Sequence, residues 1–262
     1  MIGLVMKSRW QLTEVGQCLE NVFTDLDTVF ALQGENITHD SVSDVIKVQH
    51  QNVNYYVKRY TSAGKGIKQF LGKSRIEGEW ENLQWFAQWG ILTATIIGFG
   101  LEKKWGLFHR GAIITQEIPN TLNLAQMAEQ SNLIDSDSVR VISQSLSAYT
   151  RKIHQHGFIH NDLKWRNILI NDKFQVFLID CPLGDFWKGR MLQYRIVKDL
   201  KTLDNHAKKY LRRTQRLRFF LDYMESKRLN ADSKQLLLSL LRRRSRRYDK
   251  RSNLSLILRD LY

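Results

Sequence analysis

The chain has 262 residues, 43% of them hydrophobic and 25% charged, a composition that excludes a disordered polyelectrolyte and suffices for one large domain or two small lobes. Its two cysteines, Cys18 and Cys181, exclude a disulfide framework and fit a reducing compartment. The net charge of +14 is uneven: residues 195–262 carry 20 Lys and Arg against 7 Asp and Glu, whereas the rest carry 20 against 19.

In chain order, the opening MIGLVMKSRWQ has too few apolar residues before Lys7 and Arg9 for a signal-peptide core. Residues 53–60, VNYYVKRY, alternate and are rich in β-formers, predicting a strand with Lys58 in its middle. In the following segment Ile76, Trp80, Leu83, Phe86 and Ala87 recur at helical spacing, predicting a helix over about 73–89. The most apolar later stretch, 90–101, falls short of the roughly 18 residues of a membrane span, so a cytoplasmic protein with at most peripheral membrane contact is expected. Residues 106–124, GLFHRGAIITQEIPNTLNL, predict a hairpin whose second strand, 112–116, leads into Glu117, Ile118 and Pro119 as a hinge. Residues 136–156 predict a long amphipathic helix, with Val139, Ile142, Leu146, Tyr149 and Ile153 on its apolar face.

That helix delivers the chain into HGFIHNDLKWRNILI (156–170), where Asn161, Asp162, Lys164, Arg166 and Asn167 interrupt sequence that otherwise reads as core. Asp162 and Asn167 fit H-x-D-x-x-x-x-N, the loop in which a kinase holds its catalytic base and one metal ligand. His154, His156 and His160 raise zinc as an alternative, but the two cysteines provide no second ligand pair at zinc spacing. Next, NILINDKFQVFLID (167–180) predicts two strands joined at Asn171 and Asp172 and ending at Asp180, where DCPLG takes the place of D-F-G and Gly184 permits a turn. Asn167 and Asp180 are then oxygen ligands suited to magnesium. Lys58 becomes the strand lysine on the nucleotide phosphates, and Glu77, Glu79 and Glu81 are candidates for the helix carboxylate that orients it. Glu79 sits best, with Glu81 as the alternative. The backbone at Gln116, Glu117 and Ile118 offers itself to an adenine edge. Asp162 is expected to accept or orient the acceptor proton and Lys164 to approach the γ-phosphate, with His160 and Arg166 either structural or supporting these groups from behind.

Taken together, YYVKRY, GEWENLQWFAQWGI, HRGAIITQEIP, HGFIHNDLKWRNILI and FLIDCPLGD resemble, over roughly 25–205, the lipopolysaccharide core kinases, the Kdo/WaaP and InaA-like group of the protein-kinase-like superfamily. The resemblance implies an α+β, bilobal kinase-like fold. Its N-lobe, 1–117, is an antiparallel sheet plus a helix. Its mainly helical C-lobe, 118–262, holds a catalytic loop at 158–170, a metal loop at 180–185 and a basic helical part at 195–262. It implies ATP and Mg2+ as co-substrates and transfer of the γ-phosphate to a hydroxyl of an inner-core heptose or Kdo. Three features depart from the protein-kinase pattern. Residues 34–49 contain a single glycine, so phosphate cover is expected from amides and hydroxyls around Ser41 and Ser43; Asn161 replaces the Arg of H-R-D; and A-P-E is absent, leaving little room for a protein-substrate platform.

The basic segments KKYLRRTQRLR (208–218) and RRRSRRYDKR (242–251), the latter including Arg242, Arg243, Arg244, Arg246 and Arg247, are suited to an acidic glycolipid and to the anionic inner face of the membrane that carries it. Phe186 and Trp187, beside Lys188 and Arg190, either line the sugar site or pack in the core. Two other readings compete: an atypical short-loop protein kinase, and a non-catalytic ATP- or nucleic-acid-binding protein. The joint presence of Lys58, Asp162, Asn167 and Asp180 disfavours a dead kinase.

Overall fold

The computed structural model describes residues 6–63, 73–130 and 136–245. The positions 246–262, with Arg246 and Arg247, lie outside the described residues, as does the start of the opening segment. The chain forms two compact units: one runs to Pro119 and takes in Asp180–Leu183, and the other comprises Asn120–Ile179 and resumes at Gly184.

The first unit is a six-stranded antiparallel sheet with helices. Its strands are β1 (Met6–Leu12), β2 (Glu35–His39), β3 (Ser43–His50), β4 (Val53–Tyr60), β5 (Ile96–Lys104) and β6 (Leu107–Gln116), in the order β1-β5-β6-β4-β3-β2. Short α1 (Leu26–Ala31) and the longer α2 (Arg75–Gln88) accompany it. β4 matches the alternation read from sequence: Tyr55 and Val57 enter a core with Phe23, Ile46, Ile97 and Ile114, leaving Tyr56 and Lys58 on the opposite face. Its register is pinned by a two-residue turn in which Gln51 and Asn52 both have positive φ, at 47° and 62°, the mirror-image turn that a twisted hairpin prefers. The hairpin expected within 106–124 is different. Residues 107–116 are one uninterrupted strand, and its hairpin partner is β5, across Trp105 and Gly106 at φ 59° and 79°. α2 starts at a capping box in which Ser74 and Glu77 satisfy each other's backbone amides, an arrangement worth about 1 kcal/mol. Trp80 stacks on Phe99 of β5 at 4.7 Å, turning one helix face toward the sheet.

The second unit is mainly helical: α3 (Leu124–Gln130), α4 (Ser136–Gln155), α5 (Gly189–Tyr210), α6 (Arg213–Tyr223) and α7 (Ala231–Ser245). Short strands surround the loop of interest. β7 (Thr121–Asn123), β9 (Ile168–Asn171) and β10 (Val176–Leu178) form one small sheet, and β8 (Phe158–Ile159) pairs with β11 (Asp185–Phe186). The apolar face expected for α4 is buried at Val139, Ile142, Leu146 and Ile153, and α5 buries Ile196, Val197, Leu200 and Leu203.

The division differs from the expected boundaries in two places. Ile118 and Pro119 belong with the sheet. The metal loop, expected whole in the C-lobe, is split: its first four residues pack in the first unit because Asp180 pairs with Lys58 and the Cys181 carbonyl accepts from Asn82 at 2.8 Å.

Candidate active site

In the first unit, the Lys58 ammonium lies between two carboxylates, 2.9 Å from Glu79 Oε2 and 2.6 Å from Asp180 Oδ1. The choice among the three glutamates is resolved geometrically. Glu79 is buried and pairs with Lys58, Glu81 pairs with Lys73 at the surface, and Glu77 caps its own helix and meets Lys103 at 3.1 Å. Helical spacing explains this, since Glu79 falls between Ile76 and Leu83 on the inward face. Burial pulls the Lys58 ammonium toward neutrality, but the attraction of Glu79 and Asp180 outweighs it and holds the group well above the usual lysine range. Burial pushes the Glu79 carboxyl up, against the pull of Lys58. Tyr60, on the same strand face as Lys58, donates its hydroxyl to Glu79.

Two residues outside the sequence-level reading position Asp180. Gly78 in α2 meets the metal loop so closely that a Cβ there would stand 2.6 Å from the Pro182 carbonyl oxygen, and one turn on Asn82 donates to the Cys181 carbonyl. Asp180 itself has φ +56°, a left-handed backbone that Asp tolerates better than most residues.

The expected nucleotide contacts around this unit are modified. Asp40 Oδ1 accepts the amides of Val42 and Ser43 at 2.6 and 3.0 Å, so those amides close the β2–β3 turn and do not face a phosphate; the hydroxyls of Ser41 and Ser43 remain from the expected pair. The amides of Gln116 and Glu117 are engaged in the sheet, with the Thr95 and Asn54 carbonyls, so neither is offered to an adenine edge. The Glu117 side chain joins a cluster, accepting from Lys47 at 2.7 Å, Asn54 at 2.5 Å and Tyr56 at 3.1 Å. Burial raises that carboxyl, but the three donors hold it below its ordinary value.

In the second unit, the loop after β8 places Asp162, Lys164 and Asn167 together. Asp162 Oδ1 is 2.5 Å from the Lys164 ammonium, and Asn167 Nδ2 donates to the Asp162 carbonyl at 2.9 Å and to its Oδ2 at 3.2 Å. Arg166 is exposed and 3.6 Å from Asp162. His160 is fully buried. The loop's backbone is gripped from α5: Asp199 accepts the amides of His160 at 2.8 Å and Asn161 at 3.1 Å, and Trp165 donates to the Leu203 carbonyl. Asp199 is 1% exposed. Its signal in sequence was a lone carboxylate on the apolar stripe Ile196, Leu200, Leu203. Asn161 has φ +63°, which explains an asparagine where H-R-D has arginine, and its Oδ1 accepts from Arg195 at 2.8 Å. Phe186 packs edge-on against Phe158, while the Trp187 ring lies 3.5 Å beneath the Arg195 guanidinium.

Each unit by itself contains a side-chain oxygen of the type that magnesium takes. Magnesium uses one or two protein oxygens and completes its shell with phosphates and water. Asp180 supplies a partly exposed carboxylate. In the second unit Asn167 engages Asp162 through its amide nitrogen, so its amide oxygen is the atom suited to a cation.

A sheet unit in which a half-buried lysine meets a buried glutamate and a helical unit with an Asp–Lys–Asn loop define an α+β protein of the kinase-like class. The lipopolysaccharide kinase (Kdo/WaaP) family matches residues 24–225, and the chain belongs to that family. It is 29% identical over 91 residues to the 3-deoxy-D-manno-octulosonic acid kinase of Vibrio cholerae serotype O1, covering 33% of this chain and 37% of that protein. It is 31% identical over 104 residues to the enzyme of the same name in Vibrio parahaemolyticus, covering 37% and 41%. A probable serine/threonine-protein kinase of fowlpox virus is 22% identical over 117 residues, covering 44% and 38%. The chain thus spans about two-fifths of the length of the curated relatives it matches.

Proposed function

We propose that the protein is an ATP- and magnesium-dependent kinase that phosphorylates a hydroxyl of an acidic inner-core sugar of lipopolysaccharide. Kdo stands ahead of heptose as acceptor because both bacterial relatives are named 3-deoxy-D-manno-octulosonic acid kinases. The observation that carries the reading is the Lys58 ammonium between Glu79 and Asp180, a half-buried cation kept charged beside a metal-type carboxylate. Bound Mg-ATP supplies the transferable phosphoryl group and the metal charge. Lys58, oriented by Glu79, would bind the nucleotide phosphates; Asp180 and Asn167 would hold the metal; Asp162 would take or orient the proton of the acceptor hydroxyl; Lys164 would offset charge next to it.

No helix among the described residues is long and apolar enough to cross a membrane. The basic 195–262 region serves as a peripheral contact with the anionic inner face of the inner membrane, where such an acceptor resides. The test is transfer of labelled γ-phosphate by the purified protein to Kdo-bearing lipid A, a soluble Kdo oligosaccharide, a heptose-bearing core, casein and RNA as controls. Magnesium-dependent labelling of the Kdo-bearing acceptors is expected. Labelling of casein alone would make the protein a protein kinase, and sugar-independent ATP consumption in every arm would end the reading.

A further inference from the structure

The hairpin of β5 and β6 ends in a two-residue turn that the chemistry above does not use. Lys104 pairs with Leu107 across Trp105 and Gly106, whose φ angles of 59° and 79° belong to the turn in which Asn, Asp and Gly are the ordinary residues. A tryptophan there holds a backbone that its side chain disfavours and gains little packing in return. Trp105 is 69% exposed and Leu107 50% exposed, and among the described residues Trp105 has no hydrogen bond or ring contact. No described atom stands within 4 Å of where a Cβ on Gly106 would be, so the turn projects from the sheet unit into open space.

The stretch 103–110, KKWGLFHR, holds three Lys and Arg, one His and no acid. Two of those cations have partners in the sheet unit: Lys103 meets Glu77 at 3.1 Å and Arg110 meets Glu102 at 2.7 Å. Lys104, exposed next to Trp105, puts positive charge at the tip itself. Size and chemistry decide what such a tip fits. Its exposed run is 104–107, whereas a specific protein–protein interface takes about 20–30 residues a side. A bilayer makes no such demand. An indole at the headgroup boundary, an aliphatic side chain close to it and a lysine long enough to reach lipid phosphates form a common interfacial anchor.

We propose that the Trp105–Leu107 tip is a membrane anchor that inserts among the headgroups of an anionic bilayer. It works by apolar insertion, unlike the charge attraction assigned to 195–262. It needs neither nucleotide nor sugar, so it stands or falls separately from the kinase reading. The test variant is the full chain with Trp105→Asn and Leu107→Thr. Asparagine suits the positive φ and threonine suits a strand, so melting at or above the parent's temperature is expected. With vesicles of about three parts phosphatidylethanolamine to one part phosphatidylglycerol, the partition constant should fall at least about tenfold. The factor should be the same at about 0.05 and 0.5 M salt, because no charge has been altered. Lipids brominated near the headgroup should quench the tryptophan fluorescence of the parent more than that of the variant. If the double variant melts below the parent, Trp105→Asn alone carries the test, with the quenching difference as its readout. A parent that does not bind these vesicles, equal partitioning of parent and variant, or equal quenching would overturn the anchor. So would a lower sedimentation coefficient for the lipid-free variant than for the parent, which would assign the tip to a second copy of this chain.

Discussion

The two units hold their charged groups in opposite ways. In the first, Lys58 joins side chain to side chain across 21 residues to Glu79 and 122 residues to Asp180, and Glu79 is withdrawn from water. In the second, Asp162, Lys164 and Asn167 are near neighbours in sequence, and the shape of their loop comes from backbone amides gripped by Asp199. Charges gathered by tertiary contact are costly to expose one at a time, because each partner is left desolvated and alone. Charges gathered by a short loop cost little to change in stability and much in chemistry, provided the backbone grip is kept. Replacements in the two units should therefore separate stability from turnover.

The largest energetic effect is expected at Lys58→Ala, which strands Glu79 in the interior. A loss of about 3–5 kcal/mol is expected in urea unfolding, and adding Glu79→Gln should restore part of it. If Lys58→Ala melts like the parent, the pair is not the interior linchpin described. Next, Asp162→Asn should lower turnover at least about a hundredfold while leaving melting and Mg-ATP binding nearly unaltered, because the loop amides that Asp199 holds are untouched. Near-parental turnover would remove Asp162 from the chemistry.

Asp199→Asn blurs the distinction between the units, since it weakens the grip and leaves every proposed reacting group in place. About tenfold lower kcat is expected, with the KM for ATP unchanged and a stability loss of about 1–3 kcal/mol. A merely structural residue would lower the melting temperature and leave kcat per folded molecule alone. The smallest effect concerns Glu117. Its carboxyl is held below the ordinary 4.5, so the unfolded chain takes up the proton first as pH falls. The stability it contributes is present above about pH 4.5 and is lost as pH drops through the lower folded value. Because Lys47 and Glu117 are about a quarter exposed, that contribution is on the order of 1 kcal/mol or less. Glu117→Gln should flatten the acid limb of the stability profile below pH 4.5, and an unchanged limb would show that the cluster does not couple to folding.

Legibility in the sequence followed locality. The β4 strand with Lys58, helix α2 and helix α4 were readable because each depends on the period of its own residues, and the spacing of Asp162, Asn167 and Asp180 could be matched to a known pattern. The hairpin partner of β6 was misread, because a turn at Trp105 and Gly106 carries little signal until both residues are seen at positive φ. Ser41 and Ser43 looked available as phosphate cover, yet Asp40, one residue earlier, takes the amides of Val42 and Ser43. Asp199 was missed altogether: it is one carboxylate in a basic segment, and its role exists only where α5 passes under the catalytic loop.

Sequence by itself thus determined the elements, the order of the kinase-like motifs and the uneven charge, since these depend on residue type and spacing along the chain. Tertiary structure alone decided that Asp180 packs with the sheet unit against Lys58, that Gly78 and Asn82 meet the loop after it, and that Asp199 takes the amides of His160 and Asn161. Those outcomes depend on which helix face is turned inward and on contacts between residues as far as 122 apart, a distance over which hydrophobic period and motif spacing carry no information.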